Sequence, residues 1–530
     1  MTLDCESGVL LHVTSLPGRY GVGEFGQPVI EWLDQMVEMG QRIWQVLPLG
    51  PTGYGDSPYQ SPSAFAGNPM LIGIGMLVEA KWLAEVEVAP LTRLPADTVA
   101  FEQLIPIKNA LLQTAAQRFL RYAPGRPLFA RFEEFCRQEA GWLDDYAAFA
   151  AIKERETLRP WVAWPDVWRD YSADTRVRAQ RLLDDVIAEK KVIQFFFREQ
   201  WVEMRKAAAR RNILILGDIP IFVAHDSAEV WSDRSLFQLD ARGEPTVVAG
   251  VPPDYFSATG QRWGNPLYDW PVHERNRFGW WARRLGRALE LCDWVRVDHF
   301  RGFVDYWEIP AEEPLAVRGQ WKPSPGRALF EALRQRFGDQ LNIVAEDLGV
   351  LSEDVIALRE AFGFPGMRIL QFAFGTDPGA PTFLPEAYVR NTVAYTGTHD
   401  NDTVVAWFHD RGEHSTRSPE QCETERRACL SHLGIPGREI HWEMIEVLLR
   451  SKAGAVIFPL QDVLGLGVEG RMNVPGTTAG NWRWRLQSGQ LTPAIQRRLR
   501  QATASAGRNK PAAARSSARS QRRAPEMAGR

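Results

Sequence analysis

Four carboxylates stand where apolar runs give way to polar turns: Asp218 after 212–217, Asp298 after 294–297, Glu346 after 341–345 and Asp400 after 392–399. Two carboxyls about 5 to 5.5 Å apart across a glycosidic bond are the equipment of a retaining sugar-transfer reaction, one as nucleophile and the other as acid and then base. Asp298 suits the nucleophile. In Arg296-Val297-Asp298-His299 alternation along a strand puts Arg296 and Asp298 on one face, and a permanent guanidinium favours the ionised carboxylate. Glu346 has no cation beside it in its own run, so burial and neighbouring acids raise its pKa and let it begin protonated. Asp400 then serves as a third carboxylate, gripping sugar hydroxyls and favouring a positively charged transition state. His299, His399 and Asn473 are donors for those hydroxyls.

Two other readings compete. An Arg-x-Asp pair in a buried strand also serves as a purely structural ion pair. The groups Asp298-His299 and His399-Asp400-Asn401-Asp402 contain metal-ligand types, but strand neighbours point to opposite faces, and no H-x-H or H-E-x-x-H occurs. Nor is there a phosphate-binding G-x-x-x-x-G-K-[ST] loop, or a nicotinamide fingerprint between a strand and a helix. No metal and no cofactor is expected.

Residues so far apart in sequence meet only if parallel strands bring their C-terminal ends together. Eight apolar runs are placed to do so: 8–13, 43–49, 212–220, 294–299, 341–349, 367–374, 392–402 and 455–462. Helical spacing separates them, as in Val29 to Met39, and the pattern predicts a (β/α)8 barrel filling residues 1–500. From about 73 to 190 the periodicity is helical, with segments 101–116 and 179–189, and predicts an inserted helical subdomain ahead of a separate helix at 192–211. Residues 51–62, rich in glycine, proline and tyrosine, predict a long functional loop. So does 250–266, which carries too many turn residues for regular structure and is expected to fold over the site. From 501 to 530 the chain turns to alanine, arginine and serine, predicting a disordered basic tail.

Composition narrows the function classes. The 530 residues are 45% hydrophobic and 24% charged, ordinary for a soluble globular enzyme, while 20 tryptophans hint at a ligand with apolar ring faces, such as a sugar. Net charge is −3, yet seven Lys or Arg lie in 501–530 against one Glu, so the body is acidic and offers no face for nucleic acid. Five scattered cysteines without a C-x-x-C suggest a reducing compartment. With an acidic N-terminus and no apolar run near about 18 residues, a cytoplasmic protein without a membrane partner is expected.

The motifs together resemble the amylomaltases, or 4-alpha-glucanotransferases, relatives of the alpha-amylase barrels. The resemblance is carried by Gly8-Val9-Leu10-Leu11-His12 with Thr14-Ser15-Leu16-Pro17, Gly217-Asp218-Ile219-Pro220, Arg296-Val297-Asp298-His299-Phe300-Arg301-Gly302, Ala345-Glu346-Asp347-Leu348-Gly349 and Thr398-His399-Asp400-Asn401-Asp402, spanning roughly 8–485. It implies Asp298 as nucleophile, Glu346 as general acid/base and Asp400 as transition-state stabiliser. It also implies sugar contacts from Tyr59, Asp218, Gln261, Trp263, Arg296, His299, His399 and Asn473, with an outer glucan contact at Tyr54. Where the alpha-amylase relatives carry a histidine five residues after the third-strand aspartate, this chain has Val223, a departure that fits amylomaltases. The implied activity is transfer of an alpha-1,4-glucan segment between maltooligosaccharides, amylose or other alpha-1,4-glucans. Hydrolysis at the same site, or noncatalytic glucan binding, are the alternatives.

Overall fold

The computed structural model describes residues 3–253, 259–349, 352–413 and 417–509. Twelve strands are present among them: β1 Glu6–Leu10, β2 Ile43–Gln45, β3 Leu214–Ile219, β4 Val247–Val251, β5 Gln261–Pro266, β6 Trp294–Val297, β7 Asp305–Pro310, β8 Gln320–Pro323, β9 Ile343–Ala345, β10 Gly366–Ile369, β11 Thr392–Tyr395 and β12 Ala455–Pro459. Eight of them, all parallel, close into a barrel in chain order: β1, β2, β3, β6, β9, β10, β11 and β12. These are the eight runs expected from the sequence. Their residues are buried on both faces, as sheets covered by helices require. At Gly8 the β1 and β2 backbones approach so closely that a Cβ would lie 2.2 Å from the Ile43 carbonyl oxygen.

The strands are shorter than the apolar runs. Only Asp218 lies within a strand, whereas Asp298 and Glu346 come immediately after β6 and β9, and Asp400 lies in the loop beyond β11. Register aligns them. Asp218 pairs with Arg296 across β3 and β6, and Val297 pairs with Ala345 across β6 and β9.

Between β2 and β3 the chain inserts three long helices, Phe101–Tyr122, Pro127–Arg155 and Ala173–Arg210. The first is longer than the expected 101–116. The third corrects the expectation of a subdomain ending at 190 before a separate helix. Glu189-Lys190-Lys191 contains no breaker, so the helix passes through with one non-helical residue, Leu183, and its last turns deliver the chain to β3. It also braces the loops after β2. The Gln194 side-chain amide bonds both the N–H and the C=O of Gly67, and Gln200 does the same at Gly73. Lys108, fully buried on the first helix, reaches Glu24 at 2.7 Å and the Met70 carbonyl at 2.8 Å.

In the region expected as an irregular loop at 250–266, residues 250–251 and 261–266 are sheet. β4 and β5 are antiparallel neighbours in a four-stranded sheet ordered β5, β4, β7, β8. Glycine and proline are tolerated there because β5 is an edge strand and the register shifts between Val248 and Gly250. Residues 254–258, the centre of that expected loop, lie outside the described residues. The expected tail also begins too early. Thr492 caps a helix, Pro493–Ser505, and Arg508 is buried beyond it, donating to the carbonyls of Leu449, Glu6 and Ser451. Leu499 and Thr503 bury one face of that helix, which composition alone did not register; residues 510–530 lie outside the described residues. No described helix is long and apolar enough to cross a membrane.

Candidate active site

Arg296 is the centre of the site. A guanidinium presents a planar fork of donors, and here one nitrogen, Nη1, reaches both oxygens of Asp218 at 2.9 and 2.7 Å while Nη2 reaches Asp298 Oδ1 at 2.7 Å. The ion pair read from the Arg-x-Asp spacing is therefore present and shared by a second carboxylate. Asp218 is completely enclosed and also accepts from the Tyr59 hydroxyl at 2.8 Å. Burial pushes Asp218 up to about 7 against the pull of Arg296. Asp298 keeps about a third of its side chain open, the exposure an attacking group needs.

Glu346 is held by backbone. Its Oε2 accepts the His299 N–H at 2.6 Å and its Oε1 the Leu348 N–H at 3.1 Å. His299 donates in this direction because it adopts the left-handed conformation, φ 51°, on the step out of β6. Burial pushes the Glu346 carboxyl up to about 8; the neighbouring Asp298 charge adds to that and Arg296 opposes it. Burial thus favours the protonated form of Glu346. The next residue, Asp347, turns away, accepting from Arg359 and from the Met367 N–H at 2.7 Å, which ties the end of β9 to β10.

Asp400 is less buried than the other carboxylates and meets Asn473 Nδ2 at 2.6 Å and His399 Nε2 at 3.4 Å. Burial lowers the His399 pKa, so the ring is neutral. Its neighbours diverge: Asn401 turns back to the Thr398 N–H at 2.8 Å, and Asp402 pairs with Arg471 at 2.5 Å. Asp400, Asn401 and Asp402 thus turn to three different partners outside the group.

Aromatic rings wall the site. Tyr59 stacks on His399 with centroids 5.1 Å apart and planes 11° off parallel, and Trp263 meets His299 edge-on at 4.9 Å. Gln261 accepts from Trp263 Nε1 at 3.1 Å, so the edge strand β5 holds the two together with Trp263 against His299. Burial lowers His299 to about 4, and its Nε2 is buried with no hydrogen-bond partner among the described residues. Tyr54 stands apart, 77% exposed on the turn Tyr54–Asp56. The structure therefore joins Tyr59, Asp218, Arg296 and Asp298 by direct bonds, His299 to Glu346, and His399 and Asn473 to Asp400. Tyr54 touches none of them.

Three contributors were not anticipated from the sequence. Arg471 bonds the Asp400 carbonyl at 3.2 Å in addition to Asp402. Leu348 contributes only its N–H, which every residue except proline carries. Trp482 packs its ring 5.8 Å from Tyr59 and 5.9 Å from His399. A tryptophan in a chain holding 20 gives no signal of its place.

A profile of the 4-alpha-glucanotransferase family matches residues 11–492. The chain is 47% identical over 507 residues to a 4-alpha-glucanotransferase of Thermus thermophilus, covering 94% of this chain and 98% of that one. It is 45% identical over 490 residues to a 4-alpha-glucanotransferase of Synechocystis sp., covering 92% and 94%. Among solved structures, the amylomaltase of Streptococcus agalactiae in complex with acarbose superposes with a TM-score of 0.89 at 35% identity, covering 95% of this chain and 100% of that one.

Proposed function

The chain belongs to the 4-alpha-glucanotransferase family, and from that premise we propose that Asp298, Glu346 and Asp400 carry out a retaining double displacement on alpha-1,4-glucans. The single observation behind this reading is the unlike setting of two carboxyls on adjacent strands: Asp298 paired with Arg296, Glu346 buried and raised to about 8. Unlike environments divide the roles between two acids.

In the first step an Asp298 oxygen attacks the anomeric carbon, the bond from that carbon to the leaving 4-oxygen breaks, and the Glu346 proton passes to that oxygen. In the second step the 4-hydroxyl of an acceptor glucan gives its proton to Glu346 while its oxygen attacks the same carbon and displaces Asp298. Two inversions restore the original configuration. Asp400, oriented by Asn473, faces the positive charge that grows at the ring, and His299 and His399 offer neutral ring nitrogens to sugar hydroxyls. Tyr59, Gln261 and Trp263 supply aromatic and amide surface to the glucan. Asp218 and Arg296 act chiefly on Asp298, since their polar atoms already bond one another. Tyr54, open to solvent, is suited to a distal glucan unit.

The substrates we assign are maltooligosaccharides, amylose and related alpha-1,4-glucans, in keeping with the acarbose bound by the Streptococcus agalactiae relative. A cytoplasmic location is supported by five cysteines that are all unpaired; plant relatives carry names placing them in chloroplasts or amyloplasts. The domain reading we retain is a catalytic barrel bearing a helical insertion and an added antiparallel sheet. The test is chromatography of the products of maltotriose with reducing ends counted over time. Transfer gives a ladder of shorter and longer chains plus glucose at constant reducing ends; rising reducing ends would make hydrolysis the reaction.

A further inference from the structure

Trp482 packs against rings of both halves of the site. Its ring lies against Tyr59, whose hydroxyl holds Asp218 and through it Arg296 and Asp298, and against His399, the neighbour of Asp400. Its backbone is in the left-handed region, φ 65°, which a bulky side chain rarely adopts and which persists only where the surroundings enforce it. The constraint here is visible. The Trp482 N–H donates to the Met472 carbonyl at 2.7 Å and closes the loop 472–482 at its base. Inside the loop Asn481 accepts the Val474 N–H at 3.0 Å and donates to Thr477. After Trp482 the chain is fixed to the helical insertion and to the loop after β1, the Arg483 carbonyl accepting from Val99 and the Arg485 guanidinium bonding the carbonyls of Leu16 and Gly18.

The second residue of that loop is Asn473, which grips Asp400 at 2.6 Å. We propose that Trp482 is a positioning residue for the transfer reaction: its left-handed backbone clasps the loop, its buried indole seats Tyr59 and His399, and together they hold Asn473 and Asp400 in reacting geometry. The inference rests on the role given above to Asp400. Removing the indole frees the Tyr59 and His399 rings to shift, and a displacement near 1 Å at a reacting centre costs on the order of 10²-fold in rate.

Three variants separate ring from backbone. Trp482→Ala removes the ring and keeps the strain, Trp482→Gly removes the ring and accepts positive φ freely, and Trp482→Phe keeps a smaller ring. With maltotriose, the Ala and Gly variants should both lose on the order of 10²-fold in kcat with KM changed far less, and Phe should recover most of it. Trp482→Gly should melt above Trp482→Ala, showing the strain relieved while activity stays lost. Wild-type kcat in folded Trp482→Gly would overturn the proposal, as would a loss in all three variants that merely follows melting temperature. Asp400→Asn runs alongside. If it is inactive while Trp482→Gly is active, only the role of Trp482 falls; if Asp400→Asn is itself active, the role of Asp400 falls first.

Discussion

The backbone N–H of His299 holds Glu346 Oε2 at 2.6 Å. The residue that follows Asp298, the proposed nucleophile, therefore orients Glu346, the proposed proton donor. This ties the two carboxyls by a single peptide unit, and it depends on the left-handed turn at His299. A substitution at 299 that disturbs that turn is expected to disturb both steps of the reaction.

With Glu346 as the proposed acid, its raised carboxyl is expected to set the alkaline limit of activity. A carboxyl with folded pKa near 8 is protonated below that pH and loses its proton above it. Donor cleavage needs the proton, so kcat/KM for maltotriose is expected to fall as pH rises through about 8. Initial rates from pH 5 to 10 check this; a flat profile to pH 10 would remove Glu346 as the acid.

Glu346→Gln keeps the shape and removes the titration, while its single carbonyl oxygen can accept only one of the two backbone N–H groups that the carboxylate holds. A lost general acid costs about 10²- to 10⁴-fold, but a maltosyl fluoride donor leaves without a proton and should recover the first step. Stability should move the other way. A carboxyl whose folded pKa lies above its unfolded value destabilises the fold as pH rises from the unfolded value toward the folded one. Hence the melting temperature of Glu346→Gln relative to wild type should be more favourable at pH 9 than at pH 5, which calorimetry at the two pH values measures.

The eight barrel strands and the four carboxylates were legible because parallel strands buried on both faces are written as apolar runs, and polar residues mark their ends. Helix continuity was less so. Nothing in Glu189-Lys190-Lys191 distinguishes a helix running through from two helices meeting, and only the long-range contacts of Gln194 and Gln200 decide it. The sheet at 261–266 was missed because its glycine and proline are paid for by an edge position, which depends on neighbours far away in the chain. Trp482 was invisible for the same reason: a positive φ at tryptophan is imposed by the fold against local preference.

The buried pair Lys108 and Glu24 anchors the helical insertion beside the loops after β1 and β2. Removing one partner leaves the other charge uncompensated, so Lys108→Met should cost about 3 to 5 kcal/mol. Adding Glu24→Gln should recover part of this, since Gln retains an acceptor for the Ile74 N–H now bonded at 2.8 Å. Denaturant titrations of the two single variants and the double variant give the coupling; strict additivity would show that the pair acts independently.

Arg296 offers the sharpest separation of charge from geometry. Its guanidinium spans Asp218 and Asp298, and Asp218 is wholly enclosed. Arg296→Ala strands that carboxylate, and at pH 8 the expected loss is about 3 to 5 kcal/mol. The loss has a ceiling that depends on pH. Asp218 is already raised to about 7 by burial with the arginine in place, and without it the folded pKa rises further. Below that value the carboxyl is neutral and the unpaired charge does not exist, so the same substitution should cost much less at pH 5. Arg296→Lys restores a positive charge but presents a point ammonium where a planar fork bridged two acids. It should therefore recover most of the stability while leaving kcat depressed, because an ammonium on a flexible stem does not hold Asp218 and Asp298 in the fixed geometry of the planar fork. Equal recovery of melting temperature and kcat by lysine would show that charge alone is what Asp298 requires.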